Sequence, residues 1–270
     1  MTESIFENKI YYRTNEFKSD RLTLVLIHGA CGSSSAWWEF EKRLTDKYNL
    51  VAMDIRGHGK SKRFTEYDDY KIENFSNDVL ELVNFLNIKK FVLISHSFGT
   101  FISLDFIDKY PEYVKASIFL SPNFNAGIMP EAKMVKPFFN LISKIKFPIS
   151  KTKKRKHLDY LKDFPNSGDF NLKRTYADVS NTSLRTYLYC MNQAYSFNGE
   201  EVLNKINFPV LIVHGKKDSI FPIKYGELMA SKIADSKIVK LDNVSHELKD
   251  SLVTIEKISN AMKEFLEKLN

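Results

Sequence analysis

The sequence is poor in the features that build stapled, metal-bound or membrane-spanning proteins. Its 270 residues include two cysteines, Cys31 and Cys190, and two cysteines so far apart in the chain cannot form a disulfide framework or a cysteine-rich zinc site. The longest apolar runs, such as residues 24–27, are much too short to cross a bilayer. The first ten residues have neither a basic start nor an apolar stretch, so no secretory signal is predicted. We therefore expect a soluble, cytoplasmic globular protein.

Arginine is also scarce, since only 8 of the 40 basic residues are arginines. The chain has 33 acidic residues and a formal net charge of +7. Residues 124–205 contain 14 basic and 7 acidic residues, so this middle segment carries all of the excess charge. Because arginines are few and no nucleic-acid-binding module is recognisable, the basic charge does not indicate a nucleic-acid partner.

Short aliphatic and β-branched runs alternate along the chain with amphipathic helical patterns. Bounded apolar runs of this length are typical of strands that are buried on both faces of a parallel sheet. The alternation predicts a doubly wound, mostly parallel α/β sheet, with an antiparallel hairpin near residues 5–13 at its edge. The predicted strands are residues 22–27, 50–54, 91–95, 116–120, 210–214 and 238–241, and the predicted helices are residues 36–44, 74–86, 98–109, 225–233 and 254–269.

The alternation stops after Ser121 and Pro122, which follow the sixth predicted strand when the hairpin is counted, and resumes at Phe208 and Pro209. The intervening residues are too many for a plain connection and contain apolar stretches, which predicts a helical insertion. An insertion at the carboxyl end of a strand would lie over the crevice in which open α/β sheets bind ligands. We therefore divide the chain into a first core part (residues 1–122), a helical cap or lid (123–206) and a second core part (207–270).

The segment from Phe91 to Thr100 reads FVLISHSFGT. A predicted buried strand runs into Ser97 and then into a helix. The segment resembles the nucleophile elbow of the α/β-hydrolases, G-x-S-x-G, in which a tight strand-to-helix turn presents a serine oxygen. Ser95 replaces the first glycine of that pattern. The alternative is an ordinary strand-to-helix turn in which Ser97 only caps the helix.

A serine is a weak nucleophile unless a base, oriented by a third group, activates it. In α/β-hydrolases an acid and then a histidine follow the serine in the chain. Asp218 matches the acid position, because it follows a predicted strand in the sequence HGKKD. His246 matches the histidine position, in the loop between the last predicted strand and the last helix. The resemblance therefore implies a catalytic triad of Ser97, His246 and Asp218.

The resemblance also implies an oxyanion hole made of backbone N–H groups. The family places one donor in the loop that reads HGACGS here, so the N–H of Ala30, or of Cys31 one position on, would pair with that of Phe98. A second stretch, DIRGHGKS from Asp54 to Ser61, is similar to a family motif, and we expect it to hold the loop after a strand.

The five remaining histidines receive other interpretations. His28, His58 and His214 adjoin glycines and are expected to hold loop conformations. His96 precedes the predicted nucleophile on a strand, so its side chain is expected to point away from the site. His157 lies in a lysine run and is expected to be solvated.

Aromatic residues are dense near the predicted pocket and could line an apolar acyl site, although core packing is the simpler interpretation for any one of them. The pocket candidates are Cys31, Trp37, Phe124, Phe138 and Tyr187. From Lys144 to Lys156 the chain has seven basic residues and no acidic one, directly after an apolar stretch. This combination suits an anionic membrane surface or an acidic, lipid-like substrate, and the alternative is a solvated lysine-rich face.

The resemblance implies a serine hydrolase that cleaves carboxylic esters of small to medium apolar substrates through an acyl-enzyme. The same triad could instead cleave a lactone, a thioester or a carbon–carbon bond. Two alternatives of another class are a receptor-like, non-enzymatic binding protein and a module for anionic lipid surfaces. No P-loop, dinucleotide fingerprint or metal-ligand spacing occurs, so the sequence implies neither a cofactor nor a metal.

Overall fold

The computed structural model describes residues 1–145, 155–249 and 251–269. Its strands are β1 (Thr2–Phe6), β2 (Ile10–Thr14), β3 (Thr23–Ile27), β4 (Asn49–Met53), β5 (Phe91–His96), β6 (Val114–Leu120), β7 (Val210–Gly215) and β8 (Ser236–Leu241). They form one sheet in the order β1-β2-β4-β3-β5-β6-β7-β8. The pairs β1–β2 and β2–β4 are antiparallel, and every later neighbouring pair is parallel.

Helices cover both faces of this sheet. Every residue of β3, β4 and β5 is buried, as parallel strands require when both of their faces are covered. Successive residues point to opposite faces, so Val25 and Ile27 join one apolar cluster while Leu24 and Leu26 join the other. The helices are α1 (Trp38–Leu44), α2 (Ile72–Phe85), α3 (Gly99–Lys109), α4 (Ala132–Ser143), α5 (Tyr160–Asp163), α6 (Leu172–Thr182), α7 (Leu184–Ser196), α8 (Glu200–Leu203), α9 (Lys224–Lys232) and α10 (Leu252–Glu267).

Helices α4 to α8 lie between β6 and β7, in the segment (residues 123–206) that we call the cap. Within it, α7 packs against α4, α6 and a short 3₁₀ turn at Ala126–Ile128. The predicted doubly wound α/β sheet, with a helical insertion after its sixth strand, is therefore confirmed. Among the described residues, none of the helices combines the length and the apolarity that crossing a bilayer would require.

Candidate active site

Ser97 lies in the turn between β5 and α3. Its φ of +53° is in the left-handed region, a conformation that costs a residue other than glycine roughly 1–2 kcal/mol. The turn is fixed on both sides, because Ser97 N–H donates to Leu120 O (3.0 Å) and Thr100 N–H donates to Ser97 O (2.9 Å). A Cβ on Gly99 would lie 2.9 Å from the carbonyl oxygens of Ile27 and His28, so α3 can begin this close to β3 only with glycine there. The local sequence therefore produces a tight, strained elbow with Ser97 at its tip.

The structure brings Ser97, His246 and Asp218 into one hydrogen-bonded chain. Ser97 Oγ lies 2.7 Å from His246 Nε2, and His246 Nδ1 lies 2.8 Å from Asp218 Oδ2. All three residues are buried. Burial raises the pKa of Asp218, but the positive charge and hydrogen bond of His246, together with His214, outweigh it and hold that pKa below its ordinary value. Asp218 is therefore an anion positioned to orient His246 and to stabilise its protonated form.

The loop after β7 holds the Asp218 carboxylate in place. The N–H groups of Ile220 and Phe221 donate to Asp218 Oδ1 at 3.0 and 2.7 Å. The buried His214 places Nε2 3.1 Å from Asp218 Oδ2 and 2.7 Å from Phe221 O. His214 therefore bonds a loop backbone, as its sequence suggests, and also contacts the acid itself, which its neighbouring glycine does not reveal.

Ala30 and Phe98, the two residues with the predicted oxyanion donors, line the same cavity as Ser97. Within the described part of the chain neither of their N–H groups donates to another protein atom, so both are available to an incoming oxygen. Cys31 follows Ala30 with a φ of +61°, and its carbonyl oxygen accepts a hydrogen bond from Thr182 of the cap (3.2 Å). The choice between Ala30 and Cys31 as donor stays a prediction.

A cavity of about 210 Å³ opens next to Ser97 between the core and the cap. Its lining combines apolar side chains with a cluster of charged ones, which we call the charged wall. The apolar lining comprises Phe98, Phe101, Ala126, Tyr187, Met191, Ala194, Tyr195, Ile220 and Phe221, and the charged wall comprises Asp169, Arg174, Asp178, Glu247 and Lys249 with the phenol of Tyr160.

Most charges in the charged wall have partners. Arg174 Nη2 lies 3.3 Å from Glu247 Oε1, and Lys249 Nζ lies 2.5 Å from Glu247 Oε2. Although burial raises the pKa of Glu247, these cations lower it well below its ordinary value. Burial, with the charge of Glu247, raises the pKa of Asp178 to about 7, while Tyr160 OH donates to its Oδ1 (2.9 Å). Asp178 is thus a carboxyl group of this wall that changes charge near neutral pH.

Asp169 of the cap bonds to both loops that carry the acid and the histidine. Its Oδ1 accepts the N–H groups of His246 (2.7 Å) and Glu247 (3.3 Å). Its Oδ2 accepts the N–H (2.9 Å) and the hydroxyl (2.6 Å) of Ser219, the residue after Asp218. Sequence reasoning missed Asp169, because nothing in its local sequence indicates partners that lie 50 and 77 residues further along the chain.

Of the five predicted pocket residues, Cys31 and Tyr187 line the cavity. The structure places the other three elsewhere. Trp37 packs edge-on against Phe40 in the apolar cluster on the opposite face of the sheet, and Phe124 is fully buried in the core cluster beside Ala126. Phe138 points outward on α4. Aromatic density does not distinguish residues that face the cavity from those that face the core or solvent.

Two histidine expectations are wrong. His96 does not point away from the site: its ring lies 5.1 Å from that of His246, and its Nε2 is 3.1 Å from His246 O. Burial lowers the pKa of His96 to about 3, so the ring is neutral and can donate its Nε2–H to that carbonyl. The side chain of His157 is 6% exposed rather than solvated, and its Nε2 lies 2.8 Å from Oδ2 of the buried Asp54, a contact that ties the cap to the core.

Asp54 also accepts the N–H groups of Ser34 (2.6 Å) and Lys60 (2.7 Å), which holds the loop that follows β4. Among the residues that the structure describes, no cluster of histidine, cysteine and acidic side chains has the arrangement of a metal site.

Comparison with known proteins gives a family match over most of the chain. Residues 23–250 match a family described as the alpha/beta hydrolase fold. The chain belongs to this family. The α/β hydrolase described here is 25% identical over 244 residues to the uncharacterized hydrolase YugF of Bacillus subtilis, an alignment that covers 88% of this chain and 87% of the relative.

Two further similarities are with proteins whose names state an activity. The 3-oxoadipate enol-lactonase 2 of Acinetobacter baylyi is 22% identical over 232 residues, covering 83% of this chain and 82% of that protein. A thermophilic esterase from Thermogutta terrifontis superposes with a TM-score of 0.73 at 20% identity, covering 96% of this chain and 94% of the esterase. At this identity the likeness to the esterase structure shows the fold alone.

Proposed function

We propose that this α/β hydrolase cleaves carboxylic esters of small to medium apolar substrates through an acyl-enzyme on Ser97. The observation that carries the proposal is the hydrogen-bonded chain from Ser97 through His246 to Asp218, at 2.7 and 2.8 Å. These distances are within the reach that a base and its orienting acid need. Ser97 and His246 border a cavity that residues 29–32 and Phe98 also line. The two unpaired N–H groups belong to residues of this lining.

In the proposed reaction, His246 takes the hydroxyl proton while Ser97 Oγ attacks the ester carbonyl carbon. The N–H groups of Phe98 and Ala30 then hold the negative oxygen, and each such donor contributes about 3–4 kcal/mol in comparable enzymes. The carbon–oxygen bond to the alcohol breaks, and His246 returns its proton to the departing alcohol. Water that gives its proton to His246 attacks the acyl-enzyme, and the acid leaves as Ser97 regains its hydrogen.

The cavity supports a substrate of limited size with two unlike ends. At about 210 Å³ it lies below the roughly 300–1,000 Å³ of pockets that enclose drug-sized ligands, which favours short to medium acyl chains. The apolar lining suits the acyl chain of the substrate. The charged wall begins at Glu247, directly after the histidine that would protonate the leaving group, so it suits the alcohol side of the ester.

A second candidate is hydrolysis of a lactone by the same residues. The observation that favours it is the similarity to a protein named as an enol-lactonase. The steps would be identical, except that the alcohol released by ring opening stays attached to the acyl group. Thioester hydrolysis, carbon–carbon cleavage and non-enzymatic ligand binding are further alternatives, which become the next candidates if the protein hydrolyses neither esters nor lactones.

The test is hydrolysis of nitrophenyl esters with acyl chains of two to sixteen carbons, by the wild type and by Ser97→Ala. We expect turnover of the shorter chains and a fall in kcat of at least about 10³-fold in the variant. Ser103→Ala, which removes a buried hydroxyl on α3, is the matched control and should keep wild-type turnover. Activity on lactones alone would select the second candidate. A folded wild type that hydrolyses neither class would contradict both.

A further inference from the structure

Helix α4 presents a line of apolar side chains to solvent. Met134, Phe138, Leu141 and Ile145, just beyond the helix, are 75%, 54%, 67% and 49% exposed. Their spacing of four, three and four residues places them on one face. We call these four residues the apolar stripe. Monomeric soluble proteins rarely leave such contiguous apolar surface uncovered, so it indicates a site of interaction.

The opposite face of α4 is occupied by the cap. Ala132 is buried, and Phe139 stacks on Tyr195 of α7 with ring centroids 5.7 Å apart and planes within 16°. The helix is therefore held in place by packing that does not involve the apolar stripe. The exposures of these four residues show that the described part of the cap leaves the outward face of α4 open to solvent.

The charge around the apolar stripe indicates which kind of partner fits it. Residues 132–145 contain three lysines, Lys133, Lys136 and Lys144, and no acidic residue. All three lysines are exposed, and none forms an ion pair with another described residue. At 100° per residue Lys133 and Lys144 project about 80–100° from the apolar stripe, along one of its edges. Residues 146–154, which belong to the basic stretch from Lys144 to Lys156, lie outside the described residues.

We propose that the apolar stripe and the two lysines at its edge, Lys133 and Lys144, dock the protein on an anionic lipid surface. Helices of this kind lie in the interface with apolar side chains at the boundary of headgroups and acyl chains, while lysines meet the anionic headgroups. A second copy of this chain is a poorer occupant. Pairing two apolar stripes would bring the lysines of both helices together, with no acidic residue on α4 to offset them.

Docking would place the cavity close to the lipid. Phe139 on the inner face of α4 stacks on Tyr195, and Tyr195 lines the cavity. The helix α4 and the stacked rings of Phe139 and Tyr195 thus separate the proposed lipid-facing surface from the cavity. The docking proposal does not depend on the ester hydrolysis proposed above, because it concerns binding alone.

The test is sedimentation of the full chain with vesicles of phosphatidylcholine, alone or mixed with an equal part of phosphatidylglycerol. We expect binding to the mixed vesicles at low salt and strong weakening at 1 M salt, where the Debye length falls to about 3 Å. Met134→Ser with Leu141→Ser should weaken binding at least about tenfold through lost apolar burial. Replacing Lys133 and Lys144 with glutamine should weaken it by a similar factor through lost attraction.

Two matched variants control for non-specific effects. Leu252→Ser with Val253→Ser replaces two residues of α10 that are 53% and 62% exposed, and should bind as the wild type does. Glutamine at the exposed Lys89 and Lys90 removes the same charge elsewhere and should weaken binding less than the α4 lysine variant. Equal binding to neutral vesicles, no binding to either kind, or equal binding by the α4 variants and their controls would overturn the proposal. A dimer in gel filtration that only the stripe variant disrupts would also overturn it, in favour of a second copy.

Discussion

The core and the cap both line the cavity, but they hold their residues by different contacts. Ser97, Asp218 and His246 each follow a strand of the core sheet, and backbone hydrogen bonds within the core fix the elbow and the acid loop. The cap supplies its part of the charged wall through side chains instead. Asp169 reaches the core by hydrogen bonds to backbone N–H groups, and Arg174 does so through an ion pair with Glu247.

This difference separates residues of the core, which would carry out the reaction, from residues of the cap, which would adjust its rate or its substrate preference. Strand ends of a parallel sheet place side chains at one edge whatever the cap contains. Side-chain contacts between cap and core can be lost singly without changing the sheet. We therefore expect core substitutions to abolish the reaction, and cap substitutions to change its rate, its pH dependence or its substrate preference.

The largest expected effect lies in the core. Asp218→Asn should lower kcat roughly 10³–10⁴-fold, because an amide cannot stabilise the protonated His246 and favours the wrong tautomer. The measurement is kcat on the best nitrophenyl ester at pH 7. Asp242→Asn is the control, since Asp242 also follows a strand but pairs with Lys216 at the surface (2.7 Å). A loss below tenfold in Asp218→Asn would show that another group orients His246.

A smaller effect is expected in the cap. Asp169→Asn keeps one acceptor oxygen, so either the His246 loop or the Ser219 loop loses its partner. Because sub-ångström misplacement of a base is costly, we expect kcat to fall about 10–100-fold with a smaller change in KM. The rate at which a small fluorophosphonate modifies Ser97 should fall in parallel, since that reagent needs the base but little of the cavity.

The control for this substitution is Asp163→Asn, an exposed carboxylate at the end of α5. It should match the wild type in both assays. A rise in KM with an unchanged fluorophosphonate rate would contradict the positioning role, because Asp169 would then act on the substrate instead.

The same division between core and cap governs what the sequence can predict. The strand predicted at residues 91–95 is Phe91–His96, and the one at 22–27 is Thr23–Ile27. Such runs can be predicted because burial on both faces leaves apolar residues at every position. The candidates Ser97, Asp218 and His246 also lie together, since chain order and strand ends constrain where they emerge.

The contacts of the cap could not be predicted in this way. His157 and Asp54 are 103 residues apart, and no periodic pattern links them. His157 lies beside lysines in the sequence, which favours exposure of its side chain. Its contact with the buried carboxylate of Asp54 instead holds the side chain between cap and core. Phe138 and Tyr187 are both aromatic residues of cap helices, and only their rotation about the helix axis decides which one faces the cavity.

The smallest expected effect is a difference in pH dependence between a carboxyl group of the cap and one of the core. Asp178 in the cap is a partly buried carboxyl group and Glu41 in the core a buried one, and burial raises the pKa of each to about 7. A folded-state pKa above the unfolded-state value means that the neutral form favours folding. That contribution is complete below about pH 4 and is lost as the pH rises through 7. Both groups should therefore make the wild type less stable at pH 8 than at pH 5.

Asp178→Asn and Glu41→Gln should each reduce this loss of stability, by on the order of 1–3 kcal/mol in urea unfolding at pH 5 and pH 8. Only Asp178 lines the cavity, whereas Glu41 pairs with Arg13 (2.8 Å) away from it. The pH dependence of KM between pH 6 and 8 should consequently change in Asp178→Asn and stay as in the wild type in Glu41→Gln. Equal KM profiles in both variants would mean that the charge of Asp178 does not reach the substrate, and that the charged wall serves only to hold the cap on the core.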